Sequence, residues 1–156
     1  MADARVKIAK DKAELVKSLK AADADDTTKP FQSYIDVLVF AAALGAKRNH
    51  REPLGEFSRK EPDPIPYDVY KKYDKVINLL AVVATKNPRV LADSEEAQES
   101  RIKIFEEYAN AGLEIIDNEI KGSVDHLERI LLFLSSEKDE MTKQNGDFDL
   151  SNLLSI

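Results

Sequence analysis

The run from Val37 to Leu44 is apolar at all eight positions, and it constrains the fold more than any other stretch of the chain. Apolar residues at helical spacing lead into it from Phe31, and it contains three consecutive alanines, which favour a helix over a strand. A helix that is apolar on every side is buried all round. The sequence therefore predicts a central core helix that begins near Pro30 and ends at Gly45, a residue suited to the left-handed conformation of a helix C-terminus.

Four further helices are predicted from apolar positions at spacings of three and four. They run from Asp11 to about Ala22, from Tyr67 to Lys86, from a capping box of Asp93 and Glu96 to Ile120 with Gly122 as the stop, and from a cap at Ser123 to about Ser135. Only five glycines and six prolines occur in 156 residues, which argues against a fold with many tight turns. The predicted fold class is all-α: a single compact bundle of about five helices over residues 1–156, with residues 1–10 and 136–156 as flexible ends.

Four of the six prolines fall between Ala46 and Pro66, so this stretch cannot form a long helix. The sequence therefore places a proline-rich loop between helices two and three. Connections of about twenty residues are uncommon in compact domains and are often functional.

The residues and motifs on which most catalytic and cofactor chemistry depends are missing from this chain. There is no cysteine, which excludes disulfides, iron–sulfur clusters and thiol-based zinc sites. The two histidines, His50 and His126, belong to no Glu-x-x-His, His-Glu-x-x-His or Arg-x4–6-His pattern, and no glycine-rich phosphate loop or Gly-x-Ser-x-Gly elbow occurs. Asp125 precedes His126, but neighbours on a helix do not face each other. We therefore predict no catalytic residue, no metal ligand and no cofactor.

No stretch approaches the ~20 apolar residues that a membrane-spanning helix needs. The first thirty residues are charged and lack the apolar core of a secretory signal. We expect a cytoplasmic protein with no membrane contact.

Charge is unevenly divided along the chain, whose net charge is −6. Residues 1–90 hold 17 Lys and Arg against 13 Asp and Glu, whereas residues 91–156 hold 6 against 16. The two halves are expected to present different surfaces.

A cluster of polar and basic residues directly follows the core helix and is the candidate nucleic-acid contact. It comprises Lys47, Arg48, Asn49, His50, Arg51, Arg59 and Lys60. Arginine offers paired donors to phosphate oxygens, which favours an anion site. The alternative is structural, because cations near a helix C-terminus are stabilised by its dipole and can pair with Glu52, Glu56 or the acidic fourth helix. An exposed continuous patch would support DNA contact, whereas a buried segment paired with glutamates would argue against it.

Two apolar features indicate further contacts. Tyr67, Tyr70 and Tyr73 lie at spacing three, which is typical of a core or interface stripe. The final segment from Phe148 to Ile156 is apolar after a polar stretch, and it can dock on its own bundle or insert into a second subunit or a partner. A homodimer is compatible with both the core helix and this tail.

Two pieces of the sequence, Phe40-Ala-Ala-Ala-Leu-Gly45 and Arg51-Glu-Pro-Leu54, carry a resemblance to a known family. Together with the basic stretch between them, they resemble the small Dnd system-associated proteins. These belong to bacterial gene neighbourhoods for DNA phosphorothioation, in which sulfur replaces a backbone phosphate oxygen and a linked restriction arm attacks unmarked DNA. The resemblance implies an accessory component of a DNA-based anti-phage defence system and transfers no catalytic residue.

Three hypotheses follow from these observations. The first is a non-enzymatic adaptor that binds protein partners of the DNA modification and restriction system, with DNA backbone contact as an added element. The second is a DNA-binding regulator that uses the basic loop from Lys47 to Arg51. The third is a nuclease or toxin without a recognisable motif.

Overall fold

The computed structural model describes the backbone of residues 4–144 and the side chains of residues 4–137. The described part is mostly helical, which confirms the predicted fold class. Its elements are β1 (Arg5–Val6), α1 (Ala13–Leu19), α2 (Tyr34–Lys47), β2 (Ile65–Pro66), α3 (Asp74–Thr85), α4 (Glu95–Ile120) and α5 (His126–Gln144). Three 3-10 helices connect them, at Lys10–Lys12, Tyr67–Tyr73 and Pro88–Leu91.

The core forms where α2 crosses α4. Six of the eight residues from Val37 to Leu44 are buried; Phe40 is half-buried, and the prediction of burial on every side is wrong only for Ala43, which is exposed. Phe105 in the middle of α4 is fully buried and meets the ring of Tyr70 edge-on at 5.5 Å between ring centroids. This apolar contact fixes α4 against the 3-10 segment that leads into α3.

Gly45 does not end α2, as the sequence predicted, because the helix continues to Lys47. Gly45 is required for helix packing instead, because a Cβ at this position would lie 2.2 Å from the carbonyl oxygen of Tyr108. Gly112 faces α2 in the same way, since its Cβ would lie 1.7 Å from the carbonyl oxygen of Ala41. Two glycines thus let the backbones of α2 and α4 touch.

Several helix ends differ from the predicted ones by a few residues because a neighbouring hydroxyl or carboxylate forms the cap. Ser33, not Pro30, opens α2 and accepts a hydrogen bond from the backbone N–H of Asp36. Ser94 caps α4, and Asp125, not Ser123, accepts the N–H of Glu128 in the first turn of α5. Gly122, at φ +81°, follows the end of α4 as predicted.

The third helix is also shorter than predicted. Residues 67–73 form a 3-10 helix rather than the first turns of an α-helix, and α3 begins at Asp74. At its other end α3 ends at Thr85, and Lys86 takes the left-handed conformation (φ 54°) before Asn87-Pro88. The proline break was predicted correctly.

The N-terminal segment pairs with the middle and with the end of the proline-rich loop. Val6 pairs with Ile65 in a two-stranded antiparallel sheet, and Ala9 forms a bridge with Phe57. The sequence predicted a flexible end over residues 1–10; within residues 4–10, however, Val6 and Ile8 are buried in the core. The N-terminal segment therefore holds the loop at two places, near Phe57 and near Ile65, through main-chain hydrogen bonds.

The fifth helix extends to Gln144, beyond the predicted change to polar sequence at Ser135. Residues 145–156, including the apolar tail from Phe148 to Ile156, lie outside the described residues. None of the helices in the described part of the chain is long and apolar enough to cross a membrane.

Candidate interaction surfaces

The first two cations of the predicted nucleic-acid site bind a single carboxylate on α5. Lys47 Nζ and Arg48 Nη2 each donate to the carboxylate of Glu137, one to each oxygen. Glu137 is buried, with a side chain only 11% exposed. Burial acts to raise its pKa, but the hydrogen bonds from Lys47 and Arg48 outweigh that effect and hold the pKa below its usual value. These two cations therefore attach α5 to the end of α2.

Arg51 is bound in the same way to α4. Its Nε and Nη2 lie 3.0 and 2.7 Å from Oε1 of Glu107, and its guanidinium carbon lies 5.8 Å from the ring centroid of Tyr108. Glu107 also accepts the N–H of Glu52 through its backbone carbonyl, at 3.0 Å. Arg51, a candidate phosphate ligand by sequence, thus places two of its N–H donors on the Glu107 carboxylate of its own chain.

Asn110, one turn further along α4, holds the same part of the loop. Its Nδ2 donates to the carbonyl oxygens of Glu52 and Pro53, at 3.3 and 3.1 Å. Glu107 and Asn110 are both buried, so these bonds form away from bulk water. We use the name loop clamp for Arg51, Glu52 and Pro53 together with Glu107 and Asn110, the two residues of α4 that hold them.

Asn49 and His50 turn the chain out of α2 rather than pointing together at a ligand. Asn49 takes the left-handed conformation with φ 53°, which asparagine tolerates better than most residues. The N–H of His50 donates to the carbonyl oxygen of Gly45 at 2.9 Å, and its Nε2 lies 3.2 Å from a carboxylate oxygen of Glu52. Both are exposed and close the helix end.

Arg59 and Lys60 form a separate group, further along the loop. The guanidinium carbon of Arg59 lies 4.6 Å from the ring centroid of Phe57, and Lys7 Nζ lies 5.2 Å from the same centroid. No ion pair joins Lys7, Arg59 or Lys60 to any carboxylate in the part of the chain described. The structure thus divides the predicted site: Lys47, Arg48 and Arg51 are exposed at the surface but paired with glutamates, whereas Arg59 and Lys60 remain available.

A buried carboxylate that sequence inspection missed lies next to the clamp. Glu106 is 9% exposed and accepts the backbone N–H of Lys7 at 2.6 Å. Burial raises its pKa above the usual value, and the N–H of Lys7 offsets this only in part. The sequence does offer one sign of this burial: Glu106 and Glu107 stand between Phe105 and Tyr108, two residues of the predicted apolar stripe of α4.

Replacing Glu106 with Gln is expected to make the protein more stable at pH 7. A carboxyl whose pKa is raised by folding binds more protons in the folded than in the unfolded state, so its contribution to stability falls as pH rises from the usual Glu pKa through the raised value. Gln is neutral and its Oε1 can still accept the Lys7 N–H. Urea unfolding of both proteins between pH 4 and 8 should show curves that converge at the acid end. A Glu106→Gln protein less stable than the wild type at pH 7 would contradict this.

An unpartnered apolar face lies on α3. Leu79 and Val83 lie four residues apart on its surface and are 62% and 50% exposed, whereas Val76 is half-buried and packs against the core. Lys75 lies four residues before Leu79 on α3, so a cation stands beside that side chain, and Lys72 lies in the 3-10 helix that leads into α3. We call Leu79 and Val83 the α3 face.

The fifth helix carries a second exposed apolar group. Leu131 and Leu132 are each 56% exposed and Leu134 is 36% exposed. Isolated exposed leucines are common, but three within four residues of one helix are unusual for a solvated surface.

The catalytic pairing considered for Asp125 and His126 does not form. Asp125 is used as the cap of α5, and the buried Nδ1 of His126 has no hydrogen-bond partner among the residues described. Within the same residues, no group of three or more His, Cys, Asp or Glu side chains is placed to hold a metal ion.

These observations define a small, mostly helical protein whose basic loop is bound to its own acidic helices and whose surface carries exposed apolar side chains on α3 and α5. The family model for DNA sulphur modification system-associated protein 4 matches residues 5–153. The chain therefore belongs to this family, which confirms the resemblance to Dnd system-associated proteins. Searches among curated proteins and among solved structures found no match.

Both sequence pieces that carry the resemblance contact α4. The piece ending in Gly45 meets the backbone of Tyr108, and Arg51 to Pro53 form the loop clamp with Glu107 and Asn110. The distinctive residues thus fix how the loop and α2 sit on α4.

Proposed function

We propose that this protein is a non-enzymatic accessory component of a DNA sulphur modification system and acts through contacts with its protein partners. The α3 face is the observation that carries this proposal, because its leucine and valine side chains lie exposed with no covering element in the described structure. Membership of a family of system-associated proteins supports an accessory role in such a system. The place of that system in defence against phage follows from the resemblance to Dnd-associated proteins.

The surroundings of the α3 face indicate the kind of partner it fits. Lys75 forms no ion pair within the described residues, and Lys72 Nζ lies 3.8 Å from a carboxylate oxygen of Asp36 at a largely exposed position. An apolar ridge with lysines beside it is complementary to an apolar groove with an acidic rim. We propose a protein partner with such a groove.

Replacing Leu79 and Val83 with Ser is expected to weaken binding to that partner at least about tenfold, because each fully buried aliphatic side chain contributes about 1.5 to 3 kcal/mol. The measurement is isothermal titration with each purified protein of the modification system. Leu91→Ser is the matched control, since Leu91 is 43% exposed but lies outside α3. Unchanged affinity in the double variant, or no complex with any of these proteins, would refute the role of the α3 face.

DNA contact is the second candidate, and Arg59 and Lys60 now favour it more than Lys47, Arg48 or Arg51 do. Free cations bind phosphates by releasing condensed counterions, which makes affinity fall with salt. We expect Arg59→Glu with Lys60→Glu to weaken binding to a short duplex and to reduce the slope of log affinity against log salt by about two.

The measurement is fluorescence anisotropy with plain and phosphorothioate duplexes over a salt series. Lys47→Glu with Arg48→Glu is an informative comparison, because that change breaks the contacts with Glu137 and should lower stability rather than DNA affinity. Absence of binding by the wild-type protein at low salt would exclude direct DNA contact.

A further inference from the structure

The outer side of α5 carries a leucine stripe that the described elements leave largely uncovered. The helix packs on the bundle through Ile130 and Phe133, which are 0% and 6% exposed. Leu127, Leu131 and Leu134 follow one another at spacings of four and three, beside that packed side. Leu127 is half-buried, whereas Leu131 and Leu134 are exposed. We call these three residues the α5 stripe.

The sequence directly after α5 supplies a matching apolar segment. Residues 145–156 begin with Asn145-Gly146, a dipeptide typical of a turn. Five of these twelve residues are large and apolar: Phe148, Leu150, Leu153, Leu154 and Ile156.

The length of this segment suits a return along the helix. Leu131 lies thirteen residues before Gln144, which is about 20 Å along a helix axis. Twelve residues can span up to about 40 Å when extended, so residues 145–156 can reach the whole α5 stripe from the end of α5.

We propose that residues 145–156 dock on the α5 stripe of the same chain. A turn at Asn145-Gly146 reverses the chain, and the apolar side chains of the segment then cover Leu127, Leu131 and Leu134. Docking within one chain is favoured over a second copy because the segment is tethered at the end of the helix it covers, which gives it a high effective concentration. The proposal concerns a different surface from the α3 face and does not depend on the proposed function.

The absence of cysteine from the chain allows a direct test in the full-length protein. Ser135→Cys on α5 and Ser151→Cys in the segment place two nitroxide labels, and pulsed electron paramagnetic resonance measures the distance between them. A docked segment gives a narrow distribution centred below about 30 Å, since the helix it follows is about 20 Å long from Leu131 to Gln144. A broad distribution would overturn the proposal.

A matched pair of variants shows whether the stripe causes the short distance. Leu131 and Leu132 are equally exposed, but only Leu131 belongs to the α5 stripe. Leu131→Glu should broaden the distribution, whereas Leu132→Glu should leave it narrow. Equal responses would overturn the role of the stripe, and circular dichroism confirms that each variant is folded.

Dilution of the labelled protein with a large excess of unlabelled protein distinguishes one chain from two. A distance within one chain is unchanged by dilution, which is the expected result. A short distance that disappears on dilution would overturn docking within the chain and identify a second copy as the occupant of the stripe.

Discussion

Gly112→Ala is expected to lower the free energy of unfolding by about 3 kcal/mol or more, at or beyond the upper end of the usual range for overpacked cores. The added methyl group would lie 1.7 Å from the carbonyl oxygen of Ala41 and 2.5 Å from its carbonyl carbon. These are backbone atoms, so the clash cannot be relieved by a change of rotamer. The helices α2 and α4 must separate instead, and the loss of close packing extends along their contact.

The measurement is urea unfolding followed by circular dichroism. Gly122→Ala is the control for the same chemical change, because Gly122 has no atom within 4 Å of an added Cβ. Its left-handed φ of +81° makes alanine unfavourable there by only about 1 to 2 kcal/mol. If Gly112→Ala were no more destabilising than Gly122→Ala, the close contact of α2 with α4 would be refuted.

Removal of the Glu107 side chain is the second large change. Glu107→Ala is expected to destabilise the protein by about 2 to 4 kcal/mol, because Arg51 loses the carboxylate that accepts the hydrogen bonds from its Nε and Nη2. Arg51 is partly exposed and regains water, which keeps the loss below that of a fully buried pair. The loop clamp then depends on Asn110 and on the main-chain bond from Glu52.

Loosening of the loop should be visible separately from global stability. We expect faster hydrogen exchange at the backbone amides of Arg51, Glu52 and Leu54 under native conditions, together with a lower unfolding midpoint. Glu56→Ala is the matched control, because it makes the same substitution at the Lys10–Glu56 pair, where the Glu56 side chain is 83% exposed. Little change in the unfolding midpoint or in hydrogen exchange is expected there. Equal effects of the two substitutions would contradict the special role of Glu107.

Helix content was predictable from the sequence because local spacing decides it. The stripe of Val37 to Leu44 requires burial in any compact arrangement, and the break at Asn87-Pro88 follows from proline geometry alone. Gly45 shows where local rules fail. Its position suggested a helix end, but its function depends on Tyr108, more than sixty residues away, which no local pattern reveals.

The candidate site was predicted only in part for the same reason. The basic cluster and its structural alternative were both evident, and pairing with the fourth helix is confirmed at Arg51 and Glu107. The contact of Lys47 and Arg48 with Glu137 depends on how α5 folds back, which charge patterns alone do not specify. The division of charge between the two halves serves contacts between them, as the buried Lys12 also shows by binding Glu114.

The close crossing of α2 and α4 also determines when the protein can fold as it is made. On the ribosome, the apolar helix from Tyr34 to Lys47 leaves the exit tunnel before residues 105–112 follow and can cover it. At usual elongation speeds of about 5 to 20 residues per second, the interval lasts several seconds. During that time the emerging chain exposes its most apolar segment, and the domain cannot close its core until α4 follows.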